Sequence, residues 1–511
     1  MNPRVKSATR NYIVLFLGCM LFHVAGTWNV PLIDRDEPRF VEASREMIER
    51  GDYIVPFFND HFRFDKPPLA YWTQVASFKI FGQNDFAARF PSAIAAALVA
   101  LSIFAWGSRL GGEKVGWWAA IVFTLSLQTF LHAKAAVADM WLVLFVTLAH
   151  WSGYELFGLS AERSTVNPPW QGYGATSAQR SISDWIWWSI FYLSLAFGFL
   201  AKGPIAWTPL LTVALTGLFG RETRLGSRFK FGRGTLFMLV VVALWGIPAL
   251  IRTHGEFFTI GIGRHVIGRS FGAMEGHGAN SLGMCLLLLP FYFVTIFISF
   301  LPWSIKLPGL TQQLWRNPKT AVGDSGYNTR DKTDNYLLAG TLIIFVIFSL
   351  VKTKLPHYTL PALPLLSLLL ARRCFENERF FKRCAIGAVS AYLLLGLFLV
   401  PFSARFFPAW QLYRLSRDFL RPEMQFAAAD YVEPSLVWYF RGRVHGFMTT
   451  LNHDAVRPFM EGMGGRFVIL PTNLARDLFP SPPSNWKTFS TRGFNIAKGK
   501  SVDLTLLLKP E

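Results

Sequence analysis

Carboxylates and ammonium groups at the ends of apolar runs are the residues of this sequence most suited to chemistry, because charge is costly in hydrocarbon and is kept there for a reason. In DRDEPRF (34–40), Asp36 and Glu37 stand just before Pro38, a residue that suits a first helical turn. Carboxylates at a helix start satisfy orphan amide groups and complement the dipole. The alternative is chemical: Asp36, or Glu37 in its place, could deprotonate an acceptor hydroxyl or steady positive charge growing on an anomeric carbon. Asp139 closes the run HAKAAVAD at the start of another apolar segment and carries the same two readings, helix cap or second active-site carboxylate.

Lys66, Lys202 and Arg269 are cations at segment ends. Each alone can be an interfacial residue reaching its head into water. Together they supply the fixed positive charge that a phosphate or diphosphate leaving group needs as its bond to a sugar breaks. Tyr358, in KTKLPHYTLP (352–361), adds a hydroxyl donor or belongs to an aromatic belt at the membrane surface. Asp65 and His265 are of types that bind divalent metals, although a simply hydrogen-bonded His is the plainer reading.

These residues need elements that bring them together. The chain has 511 residues, 52% of them hydrophobic and only 16% charged, with a mean hydropathy of +0.31, which is a membrane-protein balance. Apolar runs near 11–31, 88–107, 115–132, 137–158, 185–201, 203–219, 235–251, 282–303, 336–351, 358–371 and 384–403 are the expected spans. The fold class expected is a polytopic α-helical membrane protein of about 11–13 spans. The formal net charge of +19 resides largely in loops between the runs, such as 221–233 and 371–383. That is the excess expected on cytoplasmic flanks rather than a nucleic-acid surface. With the N-terminus inside as an uncleaved first span, the loops 32–87 and 252–281 and the tail fall outside, where the candidate residues also lie. The four cysteines imply no disulfide framework.

Residues 1–403 form the expected transmembrane domain, with a structured first outer loop over 32–87. Phe40, Val41, Ser44, Met47 and Ile48 line one helical face opposite Arg39, Glu42, Arg45, Glu46 and Glu49, which predicts a helix lying on the membrane surface. KPPLAYWTQVASFKIFG, from Lys66, starts with prolines and is rich in interfacial aromatics. The polar stretches 159–184 and 310–335 read as cytoplasmic loops. Residues 404–511 shift to mixed composition, with strand-like runs at 435–442 and 466–471, and predict a small extracytoplasmic α/β domain.

DRDEPRF, REMIERGDYIVPFFND and FRFDKPPLAYW together resemble the first outer loop of the aminoarabinose transferases and protein mannosyltransferases, which are GT-C glycosyltransferases. AARFPSAIAAAL, AVADM, LAKGPIA, HVIGR and KTKLPHYTLPALP extend the resemblance through nearly all of the membrane part. It implies a bacterial inner-membrane enzyme whose outer cavity takes a sugar from an undecaprenyl-type phosphate lipid, with inversion, and passes it to lipid A or another envelope glycan. It further implies Asp36 as the principal carboxylate and Asp139 as its companion. Lys66, Lys202, Arg269 and Tyr358 would hold the lipid phosphate, and Asp65 with His265 would sit where a divalent metal can bind. The competing class, a polytopic lipid or sugar transporter, should show related halves and charges at mid-membrane. The sequence shows no repeat, and its candidate residues gather at one face.

Overall fold

A computed structural model describes residues 3–158, 177–220, 225–268, 282–316, 332–373 and 378–510. Arg269, the side chain of His265 and most of the stretches 159–184 and 310–335 lie outside the described residues. The first half of the chain is helical: α1 (Pro3–Val24), α2 (Asp36–Arg50), α3 (Leu69–Phe81), α4 (Asp85–Gly111), α5 (Glu113–Thr124), α6 (Leu127–Ala133), α7 (Asp139–Leu156) and α8 (Ser177–Lys202). Among the described residues, five helices are long and apolar enough to cross a bilayer: Asp85–Gly111, Asp184–Lys202, Leu225–Arg252, Lys332–Leu350 and Glu378–Phe406.

Several other apolar runs fold as shorter or broken helices. The run 115–132 becomes α5 and α6, bent by 67°. The run 282–303 divides into Leu282–Leu287 and Phe291–Ser299 on either side of Pro290, which has no amide to donate. The run 358–371 starts as a 3₁₀ turn, Pro356–Ala362, before the helix Leu363–Arg373. Continuous hydropathy therefore conceals breaks in the helices. α4 and α5 form a tight hairpin through Gly112, whose φ of +88° suits the turn, and a Cβ on Gly107 would come within 3.0 Å of the Gly116 Cα.

The C-terminal part carries a mixed five-stranded sheet of order β4-β3-β5-β7-β6, built from β3 (Gln425–Ala428), β4 (Met448–Thr450), β5 (Arg466–Pro471), β6 (Lys487–Asn495) and β7 (Lys500–Lys509). The short pair β1 (Phe57–Phe58) and β2 (His61–Phe62) lies in the first loop. The run 466–471 is a strand, as its apolar residues predict. The run 435–442 is instead a helix, Pro434–Arg441, because Pro434 opens a helical turn and the Trp438, Tyr439 and Phe440 side chains are buried around it.

That helix also corrects the expectation for α2, which is buried on both faces rather than lying on a membrane surface. The charged face of α2 meets Arg441, which pairs with Glu42, with Glu49 at 2.7 Å and with Glu46 at 3.6 Å. Arg45 joins Glu42 at 2.9 Å and stacks over the Trp438 ring at 3.7 Å. Asp34 accepts from the amide and hydroxyl of Ser435 at 2.9 and 2.5 Å, and burial, opposed by those bonds, pushes its carboxyl up to about 6. One apolar cluster runs from Leu32, Val41 and Phe78 to Trp438, Phe426 and Leu506, so the sheet and the first loop share a core. Replacing Arg441 by Ala leaves Glu42 buried with half its counter-charge, and the expected cost is ~3–5 kcal/mol. The readouts are a lower thermal midpoint and earlier proteolytic release of the C-terminal sheet.

Candidate active site

The site is set by a buried ion pair. Glu37 accepts both Nε and Nη2 of Arg89, at 2.9 and 2.7 Å, and in addition the amides of Ile33 at 2.8 Å and Ala136 at 2.7 Å. Arg89 spends its remaining donors on the carbonyls of Thr27, Val30 and Pro31. A bidentate pair with every neighbouring group satisfied is the arrangement that survives burial. It ties the chain entering α2 to the chain entering α7, and so holds Asp36, next to Glu37, in a fixed relation to Asp139, three residues beyond Ala136. Lys134 fastens the same connection to the end of α1 by donating to the carbonyls of Phe22, His23 and Ala25. Glu37 thus has both carboxylate oxygens engaged by Arg89 and the two amides and lines neither of the two cavities, whereas Asp36 lines the smaller one.

Two cavities meet beyond this pair. The larger, about 830 Å³, is lined mainly by apolar side chains such as Leu142, Trp207, Leu239, Trp245, Phe257 and Phe348. The smaller, about 90 Å³, is lined by Asp36, Arg39, Arg63 and other polar residues. Asp65, Lys66, Asp139, Lys202, His357 and Tyr358 line both, so they form the junction. Lys66 precedes α3 at its Pro67–Pro68 start, and Lys202 ends α8, where the helix dipole favours a cation. Lys202 Nζ lies 2.5 Å from Asp139 Oδ1 and 5.8 Å from the centre of the Tyr358 ring. The Asp139 carboxylate is thus committed to Lys202 rather than to capping α7, while Asp36 is an exposed carboxylate at the start of α2.

The structure brings Asp36, Asp65, Lys66, Asp139, Lys202 and Tyr358 around the smaller cavity, whose lining does not include Glu37. Of the Asp65–His265 pair, the His265 side chain lies outside the described residues, and Asp65 faces the Arg63 guanidinium at 3.0 Å. Lys354 donates to the carbonyls of Phe348 and Ser349 at 2.9 and 2.6 Å, which caps the preceding helix. The sequence reading passed over Arg89, Arg63, His132 and His357. His132 and His357 stand inside the runs HAKAAVAD and KTKLPHYTLP, so an imidazole beside a span end was the available signal. Nothing local marks Arg89, whose partner is 52 residues away.

The chain therefore combines a long apolar cavity that ends in lysines, a tyrosine and carboxylates with a helical bundle and an appended small sheet. Residues 65–161 match the dolichyl-phosphate-mannose-protein mannosyltransferase family. The undecaprenyl phosphate-α-4-amino-4-deoxy-L-arabinose arabinosyl transferase of Edwardsiella ictaluri (strain 93-146) is 28% identical over 375 residues, 70% of this chain and 60% of that protein. An uncharacterised protein of Aquifex aeolicus (strain VF5) is 27% identical over 386 residues, 76% of this chain and 77% of its own. The crystal structure of ArnT from Cupriavidus metallidurans bound to undecaprenyl phosphate superposes with a TM-score of 0.70 at 17% identity, covering 97% of this chain and 98% of that one. The chain is thus similar in sequence to the aminoarabinose transferases and, over residues 65–161, to the protein mannosyltransferases; it shares the fold of ArnT and has the helices of a multi-pass membrane protein.

If Glu37 and Arg89 fix the two carboxylates, Glu37→Gln should strand the buried guanidinium at a cost of ~3–5 kcal/mol. Thermal unfolding of the purified protein measures it. A shift no larger than that of an exposed substitution such as Glu423→Gln would remove the pair from its positioning role.

Proposed function

We propose that this protein is an inverting glycosyltransferase that moves a sugar from a polyprenyl-phosphate lipid to an acceptor in the cell envelope, such as lipid A or another glycan. The observation that carries the reading is the junction: one set of six residues borders both an apolar cavity of about 830 Å³ and a small carboxylate-bearing one. An amphiphilic donor needs that geometry, with its isoprenoid chain among apolar side chains and its phosphate and sugar at the polar end. The relatives' names point to the same donor class: undecaprenyl phosphate for the arabinosyl transferases and dolichyl phosphate for the mannosyltransferase family.

In this reading Lys66, Lys202 and Tyr358, with Arg269, hold the lipid phosphate. Their charges and hydroxyl stabilise the negative charge that collects on the phosphate oxygen as the anomeric C–O bond breaks. The acceptor oxygen enters from the smaller cavity on the opposite face, which inverts the anomeric centre. Asp36 lies on that side and takes the acceptor's proton or steadies the developing cation. Asp139 acts through Lys202, holding the ammonium at the junction. The active site faces the periplasm, with the basic loops on the cytoplasmic side, and residues 404–511 form a domain on the acceptor side.

Transfer of radiolabelled sugar from a panel of polyprenyl-phosphate sugars into an envelope extract tests the proposal. Asp36→Asn should lower transfer by about 10²-fold or more while donor binding is kept. Lys66→Ala should weaken donor binding about tenfold, the loss of one charge-assisted contact. Normal turnover by both variants would place the site elsewhere. Absence of transfer from any donor, with a known transferase active in the same extract, would favour the transporter reading.

A further inference from the structure

His132 ends α6, Asp139 begins α7, and His357 sits in the 3₁₀ turn Pro356–Ala362. One donor atom from each lies within 4.8 Å of the others, and His357 Nε2 is 4.0 Å from Asp139 Oδ1. No step of the proposed reaction uses the two imidazoles. We propose that these three residues form a binding site for one divalent transition-metal ion of the zinc, cobalt or manganese type, at the junction of the two cavities.

The donor set is two imidazoles and one carboxylate, which suits borderline divalent metals and leaves coordination positions open. Bonds of about 2.1 Å place donor atoms ~3.5 Å apart, so an ångström or less of side-chain rotation closes the cluster on an ion. Two features orient the ligands as outer-shell groups do at metal centres. His132 Nδ1 lies 3.1 Å from the Gln128 carbonyl oxygen. A proton on Nδ1, donated there, leaves the Nε2 lone pair free for a metal. Lys202 donates to Oδ1 of Asp139, the oxygen that also faces His357, and a small turn of the carboxylate that brings its other oxygen to the ion keeps that contact as a supporting hydrogen bond.

Asp139 and His357 line both cavities, so the open positions face the space assigned to the donor. The nearby ammonium groups of Lys202 and Lys66 oppose a second cation, which limits affinity in the free protein. An anionic lipid phosphate offsets that repulsion and supplies an oxygen ligand, so metal and polyprenyl phosphate should each tighten the other's binding. This coupling rests on the proposed function; the metal site itself does not. It is also distinct from the Asp65–His265 pair.

The test uses the purified full chain, stripped with a chelator and titrated with Co²⁺ and Zn²⁺. Bound metal is counted by elemental analysis, and the Co²⁺ visible spectrum reports nitrogen ligation. Wild type should hold one ion per chain, and His132→Ala and His357→Ala should each weaken binding at least about tenfold. His357→Gln, of similar size, serves as a second variant, with metal-free thermal unfolding as the check on folding. Asp65→Ala should retain the ion. No stoichiometric ion in wild type, or binding indifferent to both histidine substitutions, overturns the site. Metal that binds with unchanged affinity when undecaprenyl phosphate is added overturns the coupling alone, and neither result depends on whether sugar transfer is detected.

Discussion

Arg89 and Glu37 are each cut off from water and would be costly apart, so this pair constrains everything that touches it. Its hydrogen bonds reach the loop after α1, the start of α2 and the connection before α7. Three segments distant in sequence therefore have one permitted arrangement. The carboxylate at the head of α2 and the carboxylate at the head of α7 border the same small cavity because the pair leaves their backbones little freedom.

The second constraint is the burial of both faces of α2. Its apolar face packs on α3, with Phe40 stacked on Tyr71 at 5.2 Å. Its acidic face is neutralised by Arg441 and by its own Arg45, over the aromatic helix of the C-terminal sheet. Removing the C-terminal part would take Arg441 from Glu42 and Glu46 and leave each with only one cation of α2, Arg45 and Arg50, to make its burial tolerable. The C-terminal residues thereby become part of the structure that holds Asp36, although none of them lines the two cavities.

The two cavities have different chemistry for a simple reason. The larger one lies among span side chains, where hydrocarbon contact is favoured and charge is excluded. The smaller one lies where helix ends present charged residues to one another. The junction residues belong to helix starts, helix ends and a 3₁₀ turn, which are the positions where a membrane bundle can expose polar groups without breaking its backbone hydrogen bonds.

The sequence by itself determined the membrane class, the sheet strand at 466–471, and many of the residue types around the smaller cavity: Asp36, Asp65, Lys66, Asp139, Lys202 and Tyr358 all stand in polar runs at span ends, and hydropathy with charge cost is enough to single them out. Local pattern could not determine what lay on the other side of each residue. The charged face of α2 has the pattern of a solvated face because periodicity records amphipathicity, not the identity of the surface that covers it. SLVWYFRG has the pattern of a strand because a short aromatic run has no period long enough to separate helix from strand. Glu37 and Asp36 are neighbours of equal chemistry, and only the tertiary structure sends one to Arg89 and the other to the cavity. His132 and His357 gain a shared meaning only when α6, α7 and the turn at Pro356 are packed together. An ion pair across 52 residues, or a cluster across more than 200, is decided by packing between elements, and no single element carries its signature.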